Sequence, residues 1–179
     1  MKTISEQGYV FKEWLTPEMI AKDVQQVADR INADYAGKQP LFVVVLNGAF
    51  MFASDLIRHI NLHCDMTFIR VSSYKGTAST GQLEMLVPLQ QSLKNRDVII
   101  IEDIVDTGLT MHQLKAMFRA EGAASVRVTA MLFKPEKLRY EDAKPDYVGR
   151  ELTNEFVVGY GLDLDGWLRN LDAIYKVQK

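Results

Sequence analysis

The stretch "DVIIIEDIVDTGLT", residues 97–110, constrains the fold more than any other part of this 179-residue chain. An apolar, β-branched run without polar alternation, such as "DVIII", suits a strand covered on both faces, as in a parallel sheet. "LFVVVL", residues 41–46, repeats that pattern, and "SVRVTAMLF", residues 125–133, reads as another strand. Helical spacing lies between these runs. Thr16 offers a cap, Pro17 a first helical position, and Ile20, Val24, Val27, Ile31 and Tyr35 a buried stripe until Gly37. "NGAFMFASDLIRHI" turns into a second helix, and a third runs from about Thr107 to Glu121, with Leu114, Met117 and Phe118 inward and Gly122 as its end. Strands alternating with helices imply an α/β fold with a mostly parallel central sheet flanked by helices.

The remaining segments read more simply. "MTFIRVSSY" and "LEMLV" are strand-like on either side of the small, polar "KGTASTG", so the pair resembles an interrupted hairpin. "KPEKLRYEDAKP" is a charged connection, and the short strands "DYVG" and "EFVVGY" lead to the tail "WLRNLDAIYKVQK". No repeat, low-complexity tract or linker interrupts the chain, which implies one domain over residues 1–179. A net charge of -2 and a pI near 5.9 give no general attraction for polyanions, so nucleic acid is disfavoured as a partner. Cys64 is the single cysteine, which excludes an intrachain disulfide and a multi-cysteine zinc site. The longest apolar stretch, "LFVVVLNGAFMFA", is interrupted and falls short of the ~20 residues that span a bilayer, and the first residues lack a signal-peptide core. No membrane association and a cytoplasmic location are expected.

Ligands of open parallel sheets bind beyond the carboxyl ends of the strands, where residues 102–110 fall. Asp106 to Thr110, "DTGLT", supply a glycine for close backbone approach and the hydroxyls of Thr107 and Thr110, a cradle for one phosphate at a helix N-terminus. Glu102 and Asp103 are hard oxygen donors suited to Mg²⁺ or sugar hydroxyls. On spacing alone, Asp106 could equally cap a helix while the other two acids stay solvated. Neither GxxxxGK[ST] nor GxGxxG is present. "DLDGW", residues 163–167, resembles the DxDG of aspartyl-nucleophile phosphatases, but too few residues follow Gly166 for the α/β domain that motif opens. His59, His63 and His112 have no metal-ligand spacing, and Trp14 and Trp167 suit packing or a subunit interface.

"VIIIEDIVDTGLT" resembles the phosphoribosyl-diphosphate (PRPP) signature of the type I phosphoribosyltransferases. "VVVLNGAFMFASDL", "SYKGTASTG", "AMLFKP" and "EFVVGYGLDLDGWLRNL" occur in the order found in the purine branch of that family, whose members use hypoxanthine and guanine. The resemblance implies the type I fold, with a small hood formed by the N-terminal segment and about residues 146–179. It implies transfer of the 5-phosphoribosyl group of PRPP to N9 of hypoxanthine or guanine, with Mg²⁺ and release of pyrophosphate. A phosphoribosyltransferase-like regulator binding nucleotide and RNA is the alternative, and the acidic pI counts against it.

By the same resemblance, Asp106, Thr107, Gly108, Leu109 and Thr110 would hold the 5′-phosphate, Asp106 would also be the base at purine N7, and Glu102 and Asp103 would face the ribose hydroxyls and Mg²⁺. Asn47, Gly48 and Arg169 would meet pyrophosphate. Lys134 would contact the purine 6-oxo group, Phe156 would stack on the ring, the backbone of Val157 would meet its edge, and Asp163 would serve that site and a second Mg²⁺. Ser73 and Tyr74 would belong to a mobile loop at about 73–81. Many relatives carry Lys where Asn47 stands, so Gly48 and the backbone of Asn47 are the expected contacts there. Relatives of this kind also imply a homodimer or homotetramer.

Overall fold

The computed structural model describes residues 2–73 and 83–178. The chain opens with a hairpin, β1 (Thr3–Glu6) and β2 (Tyr9–Leu15), and continues with α1 (Pro17–Asp34), β3 (Leu41–Leu46), α2 (Phe50–Arg58), β4 (Asp65–Ser73) and β5 (Leu83–Val87). It then runs through β6 (Asp97–Val105), α3 (Leu109–Ala120), β7 (Ser125–Phe133), β8 (Tyr147–Glu151), β9 (Val157–Val158) and β10 (Ile174–Val177). A six-stranded sheet has the order β5-β4-β3-β6-β7-β8, all parallel except β5. A second, antiparallel sheet of four strands, β1-β2-β10-β9, forms the hood.

The apolar runs fold as their composition dictates. Phe42 and Val44 of β3 face Ile20, Val24, Val27 and Ile31 of α1 and Phe52 and Leu56 of α2 in one core cluster. Leu41, Val43 and Val45 of the same strand face Met111, Leu114 and Phe118 of α3 in another. Both faces of β3 are therefore dry, which is why polar alternation is missing from its sequence. Thr16 caps α1, its hydroxyl accepting from the Met19 N–H at 3.4 Å. Among the described residues no helix is long and apolar enough to cross a membrane.

Three boundaries differ from the sequence reading. β6 continues past Ile101 to Val105 because β7 keeps pairing with it, Glu102 opposite Ala130 and Val105 opposite Phe133. Glu102 and Asp103 are thus strand residues. α3 begins at Leu109, leaving Thr107 and Gly108 as the turn. β8 belongs to the six-stranded sheet, so the hood sheet draws only β9 and β10 from the C-terminal part.

The strand order places the site. From β3 the chain steps to β4 on one side, while β6 lies on the other, so the carboxyl ends of β3 and β6 flank a switch point of the parallel sheet. The turns that follow these two strands are Asn47–Ala49 and Asp106–Gly108.

Candidate active site

The turn after β6 is shaped for an anion. Glu102, Ile104, Val105 and residues 106–111 line a cavity of about 120 Å³. Gly108 has φ +82°, and a Cβ there would lie 2.8 Å from both Leu138 and Ala143, so bulk is excluded as well as strained. The Thr107 hydroxyl accepts from Leu109 N–H at 3.4 Å, and the Thr107 carbonyl accepts from Arg139 N–H at 3.0 Å. After Leu109, the next N–H to bond back to this turn is that of His112, to the Gly108 carbonyl. Thr110 and Met111 N–H groups therefore face the cavity end of α3, with no acid in the first turn to occupy them.

Glu102 is only 8% exposed, and its carboxylate accepts from the Asp103 N–H at 3.0 Å; Asp103 accepts from the Ile104 N–H at 2.6 Å. Burial pushes the Glu102 carboxyl well up, and the adjacent Asp103 adds to the rise. Burial also raises Asp103, opposed by its hydrogen bonds and by the Arg169 guanidinium. Two adjoining acids that are costly to ionise suit a divalent cation, which would repay the charge. Among the described residues no three His, Cys, Asp or Glu side chains converge on one point. A pair of carboxylates completed by substrate oxygens and water is the donor set Mg²⁺ accepts.

Asp163 does not join that pair. Its carboxylate pairs with Arg169 at 2.7 Å and accepts from the Gly166 N–H at 2.6 Å. Arg169 also donates to the Gly161 carbonyl at 2.7 Å. Gly161, at φ +96°, packs so tightly on Gly48 that a Cβ would run into the Gly48 carbonyl, and a Cβ on Gly48 would run into the Asp103 carboxylate. The turn after β3 thus meets the segment bearing Asp163 and Arg169 backbone to backbone, and meets the acid pair of β6 at the Asp103 carboxylate. Asn47 is exposed, and the peptide before it is cis.

Asp106 and Lys134 leave adjacent strand ends, and the Lys134 N–H donates to the Val105 carbonyl at 2.9 Å. Lys134 is 8% exposed; its ammonium lies 3.5 Å from Asp106 Oδ2, and that of Lys137 lies 3.6 Å from the same oxygen. Asp106 Oδ1 is buried with no partner among the described residues. Phe156, 44% exposed, and Asp163 line a cavity of about 490 Å³ with Tyr9, Leu164, Asp165 and Val177. The Phe156 ring leans on buried Phe11, centroids 6.2 Å apart. Val157 buries its side chain in the main core, so only its backbone is free to meet a ligand. Ser73 ends β4, but its side chain, Tyr74 and the expected loop lie outside the described residues.

Lys137, Tyr9 and Phe11 were not singled out from sequence. Pro135 after Lys134 opens a single 3₁₀ turn, a tight reversal of the kind a proline marks, and that would have pointed to Lys137 at its end. Tyr9 and Phe11 alternate with polar neighbours after Gly8, the pattern of a hairpin strand.

A parallel sheet with an anion turn and an acid pair at its switch point, under a separate hood, defines a phosphoribosyltransferase. The family model of the phosphoribosyl transferase domain matches residues 13–165, and the chain belongs to that family. Among its relatives it is 44% identical to the hypoxanthine-guanine phosphoribosyltransferase of Streptococcus thermophilus over 158 residues, 88% of this chain and 87% of the relative. It is 41% identical to that of Bacillus subtilis over 164 residues, 91% of each. The solved hypoxanthine phosphoribosyltransferase of Staphylococcus aureus superposes with a TM-score of 0.88 at 37% identity, covering 93% of this chain and 91% of the other.

Proposed function

We propose that this chain is a purine-salvage enzyme that transfers the 5-phosphoribosyl group from PRPP to N9 of hypoxanthine, and of guanine, giving the nucleotide and pyrophosphate. The observation that supports the reading is the meeting of Asp106 and Lys134 at adjacent strand ends, beside an anion turn. A carboxylate suits an N–H to be removed, an ammonium suits a 6-oxo group, and a ring suits a planar base.

The N–H groups and hydroxyls of Thr107 to Thr110 hold the 5′-phosphate and so fix the ribose. Glu102 and Asp103 face its hydroxyls. Gly48, the Asn47 backbone and Arg169 receive the pyrophosphate, Arg169 by charge and the turn by its amides. Lys134 donates to the purine 6-oxo oxygen, Phe156 stacks on the ring, the Val157 backbone meets its edge, and Asp163 closes the pocket. The bond from C1′ to pyrophosphate breaks, that from N9 to C1′ forms, and Asp106 accepts the N7 proton. Positioning of the two reactants and proton transfer are the main contributions asked of the protein. Mg²⁺, held by Glu102 and Asp103 with Asp163 toward a second ion, would neutralise pyrophosphate and order the ribose hydroxyls.

The whole chain, 1–179, acts as one domain. It works in the cytoplasm on small molecules as a homodimer or homotetramer, and exposed Met66, Phe68, Leu86 and Val87 on neighbouring strands β4 and β5 support association with a second copy. A panel of free purines with PRPP and Mg²⁺ tests the reading. Hypoxanthine and guanine should yield nucleotide and pyrophosphate, and turnover of neither would overturn it.

A further inference from the structure

We infer that Lys137 is a positioning residue for Asp106, holding the carboxylate in place while Lys134 turns to the purine. The inference rests on the proposed roles of Asp106 and Lys134 and extends them to a residue with none. Both ammonium groups reach one oxygen, Oδ2, at 3.5 and 3.6 Å. They do so because Pro135–Lys137 forms a single 3₁₀ turn closed by the Lys137 N–H to the Lys134 carbonyl at 3.1 Å.

The two lysines differ in what surrounds them. Lys134 is buried and sits where a 6-oxo group would arrive, whereas Lys137 keeps about a third of its side chain in solvent. If Lys134 alone held Oδ2, its turn toward the purine would strip a part-buried carboxylate of its partner as the proton must be taken. Lys137 removes that conflict. It stays on Oδ2, so the carboxylate, whose buried Oδ1 has no partner among the described residues, keeps a charged neighbour as the proton is taken. The connection bearing it is itself fixed over the phosphate turn, by the Arg139 N–H on the Thr107 carbonyl and by His112 on Asp142 at 2.7 Å. The lysine therefore reaches Asp106 from a braced backbone.

Steady-state kinetics of Lys137→Met, Lys137→Arg, Asp106→Asn and Asp106→Asn/Lys137→Met, with melting curves for each, test the inference. Lys137→Met should lower kcat about fivefold, the upper scale of one part-exposed ion pair, with KM for PRPP and hypoxanthine within about twofold. Lys137→Arg should restore most of the rate. In the Asp106→Asn background the second change should do nothing further, since its target is gone. An unchanged kcat in Lys137→Met beside a slow Asp106→Asn overturns this inference alone. A raised KM for PRPP at normal kcat overturns it by making Lys137 a phosphate contact. Full activity in Asp106→Asn overturns the reading of Asp106 as the base, and this inference with it.

Discussion

The strand-end region and the hood are built in opposite ways. Residues 97–137 form one continuous stretch in which β6, the anion turn, α3, β7 and the turn bearing Lys134 and Lys137 follow each other, and β6 lies centrally in the larger sheet. The hood joins β1 and β2 from one end of the chain to β9 and β10 from the other. Its dry cluster is small, with Phe11, Val158, Ala173 and Tyr175 at the centre, against the two larger clusters that cover β3. The difference separates two tasks. On the proposed roles, phosphate and proton chemistry would sit on the frame and the ring of the base would meet the lighter sheet, whose connecting segment approaches the frame where Gly161 packs on the Gly48 carbonyl.

The comparison can be broken at the frame first. Asp106→Asn should cut kcat by ~10²-fold or more, the usual size of a general-base contribution. Its melting temperature should stay near that of the parent, because Asp106 is partly exposed and held by two lysines rather than by the core. Saturating-substrate kinetics and calorimetry check both parts.

Next comes the joint between the regions. Gly161→Ala forces a side chain into a left-handed conformation and against the Gly48 carbonyl. It should cost about 2 kcal/mol of stability, read by denaturant titration. KM should rise for both purine and PRPP, since the hood and the pyrophosphate turn shift together. A rise confined to the purine would show that the hood moves independently of the β3 turn.

The smallest effect is at the acid pair. Glu102 has a folded-state pKa raised above its ordinary 4.5, so its contribution to stability is present below that value and lost as pH rises through the raised one. In metal-free buffer without PRPP, Glu102→Gln should match the parent near pH 4.5 and then grow more stable than it as pH rises through the raised pKa. Its affinity for PRPP with Mg²⁺ should fall. Parallel stability curves at all pH values would remove the argument that these acids are held at a cost for a cation.

What the sequence disclosed follows the same division. The strands "LFVVVL" and "DVIII", the Thr16 cap and the Asp106–Thr110 turn are local signals of periodicity, capping and glycine placement, and the structure has each of them. Ile174–Val177 gave no such signal in the tail, because its strand state depends on pairing with β2 at the far end of the chain. The hairpin at Gln7 and Gly8, with φ +47° and +81°, carried only a single glycine as its mark. Asp163 was assigned by resemblance to a second Mg²⁺ apart from Glu102 and Asp103, and its present partners, Arg169 and the Gly166 N–H, carried no local mark in the sequence. Lys137 was one lysine in a charged connection until the 3₁₀ turn brought it to the same Asp106 oxygen as Lys134.

On the proposed roles, the frame, through Lys134, also selects the base that the hood stacks on. The ratio of kcat/KM for hypoxanthine to that for adenine, in the parent and in Lys134→Gln, tests it most directly. An ammonium can donate to a 6-oxo group but cannot accept from a 6-amino group, and a site built for one hydrogen bond can reject its lack by ~10⁴-fold. The parent should therefore prefer hypoxanthine by about that factor. Lys134→Gln, whose amide both donates and accepts, should weaken hypoxanthine use and narrow the gap, with KM for PRPP little changed. Equal use of the two purines by the parent, or the same ratio in Lys134→Gln, would contradict the account.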